Sequence, residues 1–145
     1  MFSTTPQPGK RPAVLGFYRN VNASASVEEA SPHRLVSMLY QAVSGEIAAA
    51  RGALQRKDIG EKGRAIGHAV RILEEGLIAP LDMEAGGALA VNLRDLYQYM
   101  VYRLTMANLH SDDEALADCA SLARSLGESW SAIAPQVAMQ SRTAA

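Results

Sequence analysis

The sequence predicts an all-α fold: an antiparallel up-and-down four-helix bundle with an N-terminal docking segment. Three observations carry this. The chain has 145 residues, 48% of them hydrophobic but only 6% aromatic, and the apolar content is mainly Ala, Leu, Val and Met. Ala, Leu and Met lose little conformational freedom on entering a helix. Four segments place apolar residues three and four positions apart, the spacing of one helical face. No segment alternates with the period of a strand, and no internal repeat is visible. An apolar fraction near one half also excludes global disorder, and a chain of this length can bury a core as one domain.

Residues 1–15 carry Pro6, Pro8, Pro12 and Gly9 without periodicity and are expected to form a flexible tail. The stretch Leu15-Gly16-Phe17-Tyr18-Arg19-Asn20-Val21 has an aromatic pair unlike a tail, so Phe17, Tyr18 and Val21 are expected to dock on the bundle. The bundle itself is expected over residues 16–134. Ser31-Pro32 opens the first helix: a serine oxygen can accept an orphan N–H, and proline at the first helical position loses no bond. From there Leu35, Met38, Leu39, Ala42, Val43, Ile47, Ala50 and Leu54 form a stripe ending near Arg56. Glu46 projects onto the same stripe, either at its edge or paired.

The second helix spans residues 59–77, with Ile59, Ile66, Ala69, Val70, Leu73 and Leu77 on one side. Gly60, Gly63 and Gly67 weaken it by ~1 kcal/mol each relative to alanine, unless another backbone approaches closely. Ala79-Pro80-Leu81-Asp82 breaks the chain, with Gly86-Gly87 soon after. The third helix covers residues 88–109 and has two apolar arcs. Leu89, Leu93, Leu96, Tyr97, Met100, Leu104 and Ala107 form one; Val91, Tyr99, Tyr102, Met106 and Leu109 form the other. Two faces imply two neighbours: either the helix is buried on both sides by its own bundle, or the second face is a surface for a partner. Tyr and Met suit such a surface, since Tyr offers rigid amphipathic area and Met adapts its shape. The fourth helix starts at Asp112 or Asp113 and carries Leu116, Cys119, Ala120, Leu122, Ala123, Leu126, Trp130 and Ile133 to a stop at Pro135. Residues 135–145 are expected to be a second flexible tail.

Composition narrows function by exclusion. Fourteen basic residues against 15 acidic give a net charge of -1, which offers no electrostatic footprint for nucleic acid or an anionic membrane. No window of ~18 residues is free of charge, so no membrane insertion is expected, and no signal-peptide pattern opens the chain. A cytoplasmic location is expected, consistent with a single cysteine, Cys119. His33, His68 and His110 lie in separate segments without ligand spacing, and no metal or cofactor is called for. No nucleophile elbow, phosphate-binding glycine loop or HExxH occurs, so the chain does not read as an enzyme. His68 raises one alternative, a phosphoacceptor in a histidine-phosphotransfer-like bundle, although Arg71-Ile72 follows it where that family usually has Lys-Gly. Another alternative is a structural bundle that oligomerises through its second stripe.

An ordered set of short motifs is more specific. Ala30-Ser31-Pro32 and Leu35 lead into Met38-Leu39-Tyr40, followed by Leu81-Asp82-Met83-Glu84 with Gly86-Gly87. Asn92-Leu93, Leu96-Tyr97, Tyr99-Met100, Arg103-Leu104, Ala107-Asn108, Asp113, Ala115-Leu116 and Trp130 complete the set. From about Tyr18 to Trp130 the chain resembles the FliS family of flagellar export chaperones. It departs from the pattern at Gln41-Ala42, where Asp-Gly is usual, and at Glu46, where a bulky apolar residue is usual. The resemblance implies a helical bundle that binds the disordered C-terminal segment of flagellin, blocks premature filament assembly and presents the cargo to the export gate protein FlhA. It implies that Tyr18 and Val21 belong to an N-terminal segment able to cover the cargo groove. Asn92, Tyr97, Tyr99, Met100, Arg103 and Asn108 fall on the motif-bearing third helix. Of the third-helix residues, Tyr99, Tyr102, Met106 and Leu109, with Val91, Asn92, Arg103 and Asn108, are the candidate flagellin-binding set. A homodimer remains open.

Overall fold

Ser31 opens the first helix in the way its side chain allows. In the computed structural model, which describes residues 31–133, its Oγ accepts the Arg34 N–H at 3.1 Å and Pro32 follows at the first helical position. Helix α1 runs Pro32–Gln55. Helix α2 covers Ile59–Arg71, with the Asp58 carboxylate accepting from the Glu61 N–H at 3.1 Å. It continues without a break into a π-helical stretch, Ile72–Ile78. Helix α3 spans Met83–His110, started by Asp82, whose carboxylate accepts from the N–H groups of Glu84 and Ala85. Helix α4 spans Asp113–Ala132 and is capped in the same manner by Asp112. Each start thus carries a short polar side chain that satisfies donors the helix itself leaves orphaned. No strand occurs among the described residues. The expected tails and the docking residues Phe17, Tyr18 and Val21 lie outside them.

Helix α1 packs on α2 and α4, and α3 packs on α4, on α2 and on the π-helical stretch. Consecutive helices are joined by short connections, and α4 closes against α1, which is the up-and-down bundle expected. Two contacts fix α1 and α4 as antiparallel. At one end His33 Nε2 meets the Trp130 carbonyl at 2.8 Å, Trp130 Nε1 donates to the His33 carbonyl at 2.8 Å, and the two rings stack at 4.8 Å. At the other, the Arg51 fork donates to both Asp113 oxygens at 2.9 and 3.0 Å.

The core joins Leu39, Val43 and Ile47 of α1, Ile66 and Ala69 of α2, Met100 and Leu104 of α3, and Leu116 and Cys119 of α4. Within it the Tyr40 and Tyr97 hydroxyls hydrogen-bond at 2.5 Å. Burial pushes both phenols above their ordinary pKa. Lys62 is a buried charge that periodicity did not flag. Its Nζ donates to the Asn108 carbonyl at 3.0 Å and to Ser111 Oγ at 2.8 Å, placing a cation at the negative end of α3.

Several boundaries and orientations differ from expectation. The third helix has an extra turn, residues 83–86, before the residue-88 start; the two parts meet at Gly87, whose φ of 54° and ψ of -133° are non-helical. Positive φ favours glycine at this position. Leu89, expected in the core, is 67% exposed, while its neighbour Ala90 is buried. Ile59 and Ile133, also placed on core stripes by their spacing, are exposed. All three lie near helix ends, where periodicity gives a direction around the axis but cannot say whether a neighbour stands there.

No neighbouring backbone packs closely against Gly63 or Gly67 of α2. A Cβ added at Gly63 or Gly67 meets nothing within 4 Å. Gly67→Ala is therefore expected to stabilise the protein by ~0.5–1 kcal/mol. That corresponds to a rise in melting temperature of roughly 2–5 °C. An unchanged or lower midpoint in a calorimetric scan would contradict this.

Candidate binding surface

Helix α3 presents opposite faces to core and solvent. Ala90, Tyr97, Met100, Leu104 and Ala107 are buried. Val91, Tyr99, Tyr102, Met106 and Leu109 fall within an arc of about 80° on the other side. Tyr99 is 44% exposed, Tyr102 60% and Leu109 68%, with Met106 half-buried between them. The second arc is therefore a surface, and the alternative of a central helix buried on both sides is excluded for the described residues. A row of large apolar side chains on a helix otherwise facing solvent is the kind of patch that marks a partner site.

The remaining candidates sit around this stripe unevenly. Asn92 is exposed beside Val91. Arg103 lies at the α4 flank, its Nε 3.4 Å from Asp118 Oδ2. Tyr99 donates its hydroxyl proton to the same Asp118 oxygen at 3.0 Å, and this bond raises the Tyr99 pKa. Asn108 is not brought to the stripe: it lies ~120° around the helix from Tyr102, where its carbonyl is held by Lys62. Asp118 was not singled out in the sequence. Its only signal was a carboxylate on a fourth-helix turn, which spacing could not place opposite Tyr99.

A groove lies elsewhere, between α1 and α4, with a volume of about 640 Å³. Its walls include Ser37, Gln41 and Ser44 from one helix and Ala123, Gly127 and Ser131 from the other. Small residues at four-residue spacing on α4 were the available sign of it.

Glu46 proves to be paired rather than at a stripe edge. Arg64 binds it at 3.0 Å and His68 Nδ1 hydrogen-bonds its other oxygen, linking α1 to α2. Burial alone would raise its carboxyl, but the hydrogen bonds from Arg64 and His68 outweigh this and hold it below the ordinary glutamate value. A depressed carboxyl contributes stability above its unfolded pKa of ~4.3 that is lost as pH falls through the folded value. The melting temperature of the wild type is thus expected to drop more steeply than that of Glu46→Gln as pH is lowered from ~5. Parallel curves would refute it.

Cys119 is buried in the core, and burial pushes its thiol up to about 11, which suits packing rather than reactivity. No group of three His, Cys, Asp or Glu able to hold a metal ion occurs among the described residues. None of the described helices is long and apolar enough to cross a membrane.

A family model, flagellar protein FliS, matches residues 16–137. The chain belongs to the FliS family. It is 38% identical over 123 residues to the flagellar secretion chaperone FliS of Salmonella typhimurium, spanning 85% of this chain and 91% of that one. To the flagellar secretion chaperone FliSB of Pseudomonas aeruginosa it is 42% identical over 116 residues, 80% of this chain and 91% of the relative. To FliS of Vibrio cholerae it is 34% identical over 122 residues, 84% and 89% of the two chains. FliS relatives carry the name flagellar secretion chaperone, and the family is one of chaperones rather than enzymes.

Proposed function

We propose that this FliS family member acts in the cytoplasm as the export chaperone of flagellin, holding the flagellin C-terminal segment on the α3 stripe until it is passed to FlhA. The observation that carries the reading is the exposed apolar face of α3 directly opposite its core face. An assembly-prone amphipathic segment that becomes helical can bury its own apolar side against Tyr99, Tyr102, Met106 and Leu109. The entropy of ordering that segment offsets part of the contact energy and keeps the complex releasable. The α1–α4 groove offers a second site to a segment long enough to wrap the bundle. The near-neutral net charge suits recognition through apolar contact rather than long-range attraction.

The test is co-purification with full-length flagellin and with flagellin lacking its C-terminal segment. Capture of the full-length protein alone is expected; equal capture of both would sink the binding mode. Sedimentation addresses self-association through the same stripe. A chaperone complex forms on adding the peptide, whereas an oligomer indifferent to peptide would favour the structural bundle. His68 is engaged with Glu46, and no observation favours the phosphoacceptor alternative.

A further inference from the structure

We propose that Asp118 of α4 is a positioning residue for the α3 stripe: it holds Tyr99 in one orientation across the α3–α4 boundary, so that cargo meets a pre-set aromatic face. The inference rests on the flagellin reading above and deepens it.

Three side chains meet at this boundary. Tyr99 Oη donates to Asp118 Oδ2 at 3.0 Å. The same oxygen lies 3.4 Å from Arg103 Nε, one turn further along α3. That nitrogen is buried and makes no aligned hydrogen bond, so its charge acts on Asp118 as a clamp rather than as a donor pair. Stability does not account for the arrangement. Tyr99 is 44% exposed, and the Asp118 side chain is 42% exposed. A hydroxyl that water can reach gains little by exchanging water for a carboxylate, and ion pairs this exposed contribute little to folding.

Binding does account for it. A tyrosine on a helix surface samples more than one rotamer, and a partner that covers it must freeze it. Freezing one such side chain weakens binding by roughly 2- to 10-fold. A tether present before cargo arrives removes that loss. Tyr99 is followed at helical spacing by Tyr102 and Met106, so fixing its ring also fixes one edge of the stripe. Because the hydroxyl is committed to Asp118, the ring itself is what remains to face the cargo.

The experiment is a double-mutant cycle read by calorimetric titration of the flagellin C-terminal peptide into the full-length chain. Asp118→Ala and Tyr99→Phe are each expected to weaken binding about 3- to 10-fold, and the double variant to bind no more weakly than either. Asp118→Asn, whose amide oxygen can still accept from the phenol, is expected to restore most of the affinity, which a general loss of folding would not do. Additive losses would mean that Asp118 acts independently of Tyr99 and overturn the proposal, as would wild-type affinity in Asp118→Ala. Tyr99→Phe breaks the same bond from the other side, and its full affinity would overturn the proposal even if Asp118→Ala failed to fold. A wild-type chain that does not bind the peptide at all would overturn the flagellin reading, and this inference with it.

Discussion

A Tyr102→Ala, Leu109→Ala variant is expected to bind the flagellin C-terminal peptide roughly 30- to 1,000-fold more weakly than the wild type while melting within about 2 °C of it. Both side chains are largely exposed, so their loss removes little that the folded chain itself buries. A partner laid along α3 would cover them. Full burial of side chains of this size is worth ~1.5–3 kcal/mol each, and the residues at the centre of an interface carry a disproportionate share of its affinity. The lower end of the range allows for a partner that covers only part of each side chain. Calorimetric titration and a thermal scan of the same sample decide the matter. Unchanged affinity would remove the α3 stripe from the cargo site and leave the α1–α4 groove as the surface to examine. A large fall in melting temperature would show that the stripe supports the fold.

The complementary substitution lies on the other face of the same helix. Leu104→Ala is expected to destabilise the protein by roughly 2–5 kcal/mol, because Leu104 is fully buried and its removal adds a cavity to the lost transfer energy. For an ordered region of this size the melting temperature should fall by about 10–20 °C. At a temperature where the variant is still folded, its affinity for the peptide should change much less than that of the stripe variant. The two variants thus separate folding from binding on α3. A Leu104→Ala protein that melts near the wild type, or one that folds but fails to bind, would contradict the division of faces.

That division was legible in the sequence only as geometry. Spacing separated Tyr99, Tyr102, Met106 and Leu109 from Tyr97, Met100 and Leu104, since side-chain direction on a helix follows from position alone. Spacing could not say which arc met a neighbour. The same limit accounts for Leu89, Ile59 and Ile133, which point along core stripes near helix ends yet are exposed among the described residues. It accounts in the opposite sense for Lys62, a charged residue that the closing of α2 on the end of α3 buries against Asn108 and Ser111.

Glu46 shows how a local reading becomes specific. The sequence placed a carboxylate on an apolar stripe with two outcomes open. The packing of α1 on α2 selected one, by bringing Arg64 and His68 to it. The π-helical stretch Ile72–Ile78 was outside the reach of pattern, because seven residues hold too few apolar positions to distinguish one hydrogen-bond register from another.

By itself the sequence determined the number and order of the helices, the cap at Ser31, the start of the fourth helix at Asp112 or Asp113, and membership in a chaperone family. These depend on near-neighbour physics, on periodicity and on the chemistry of single side chains. Only the tertiary structure decided that the second arc of α3 faces solvent, that Asp118 lies opposite Tyr99, and that a groove opens between α1 and α4. Each of these is a relation between residues on different helices, and burial or exposure is a property of what packs opposite a side chain, which no one-dimensional pattern contains.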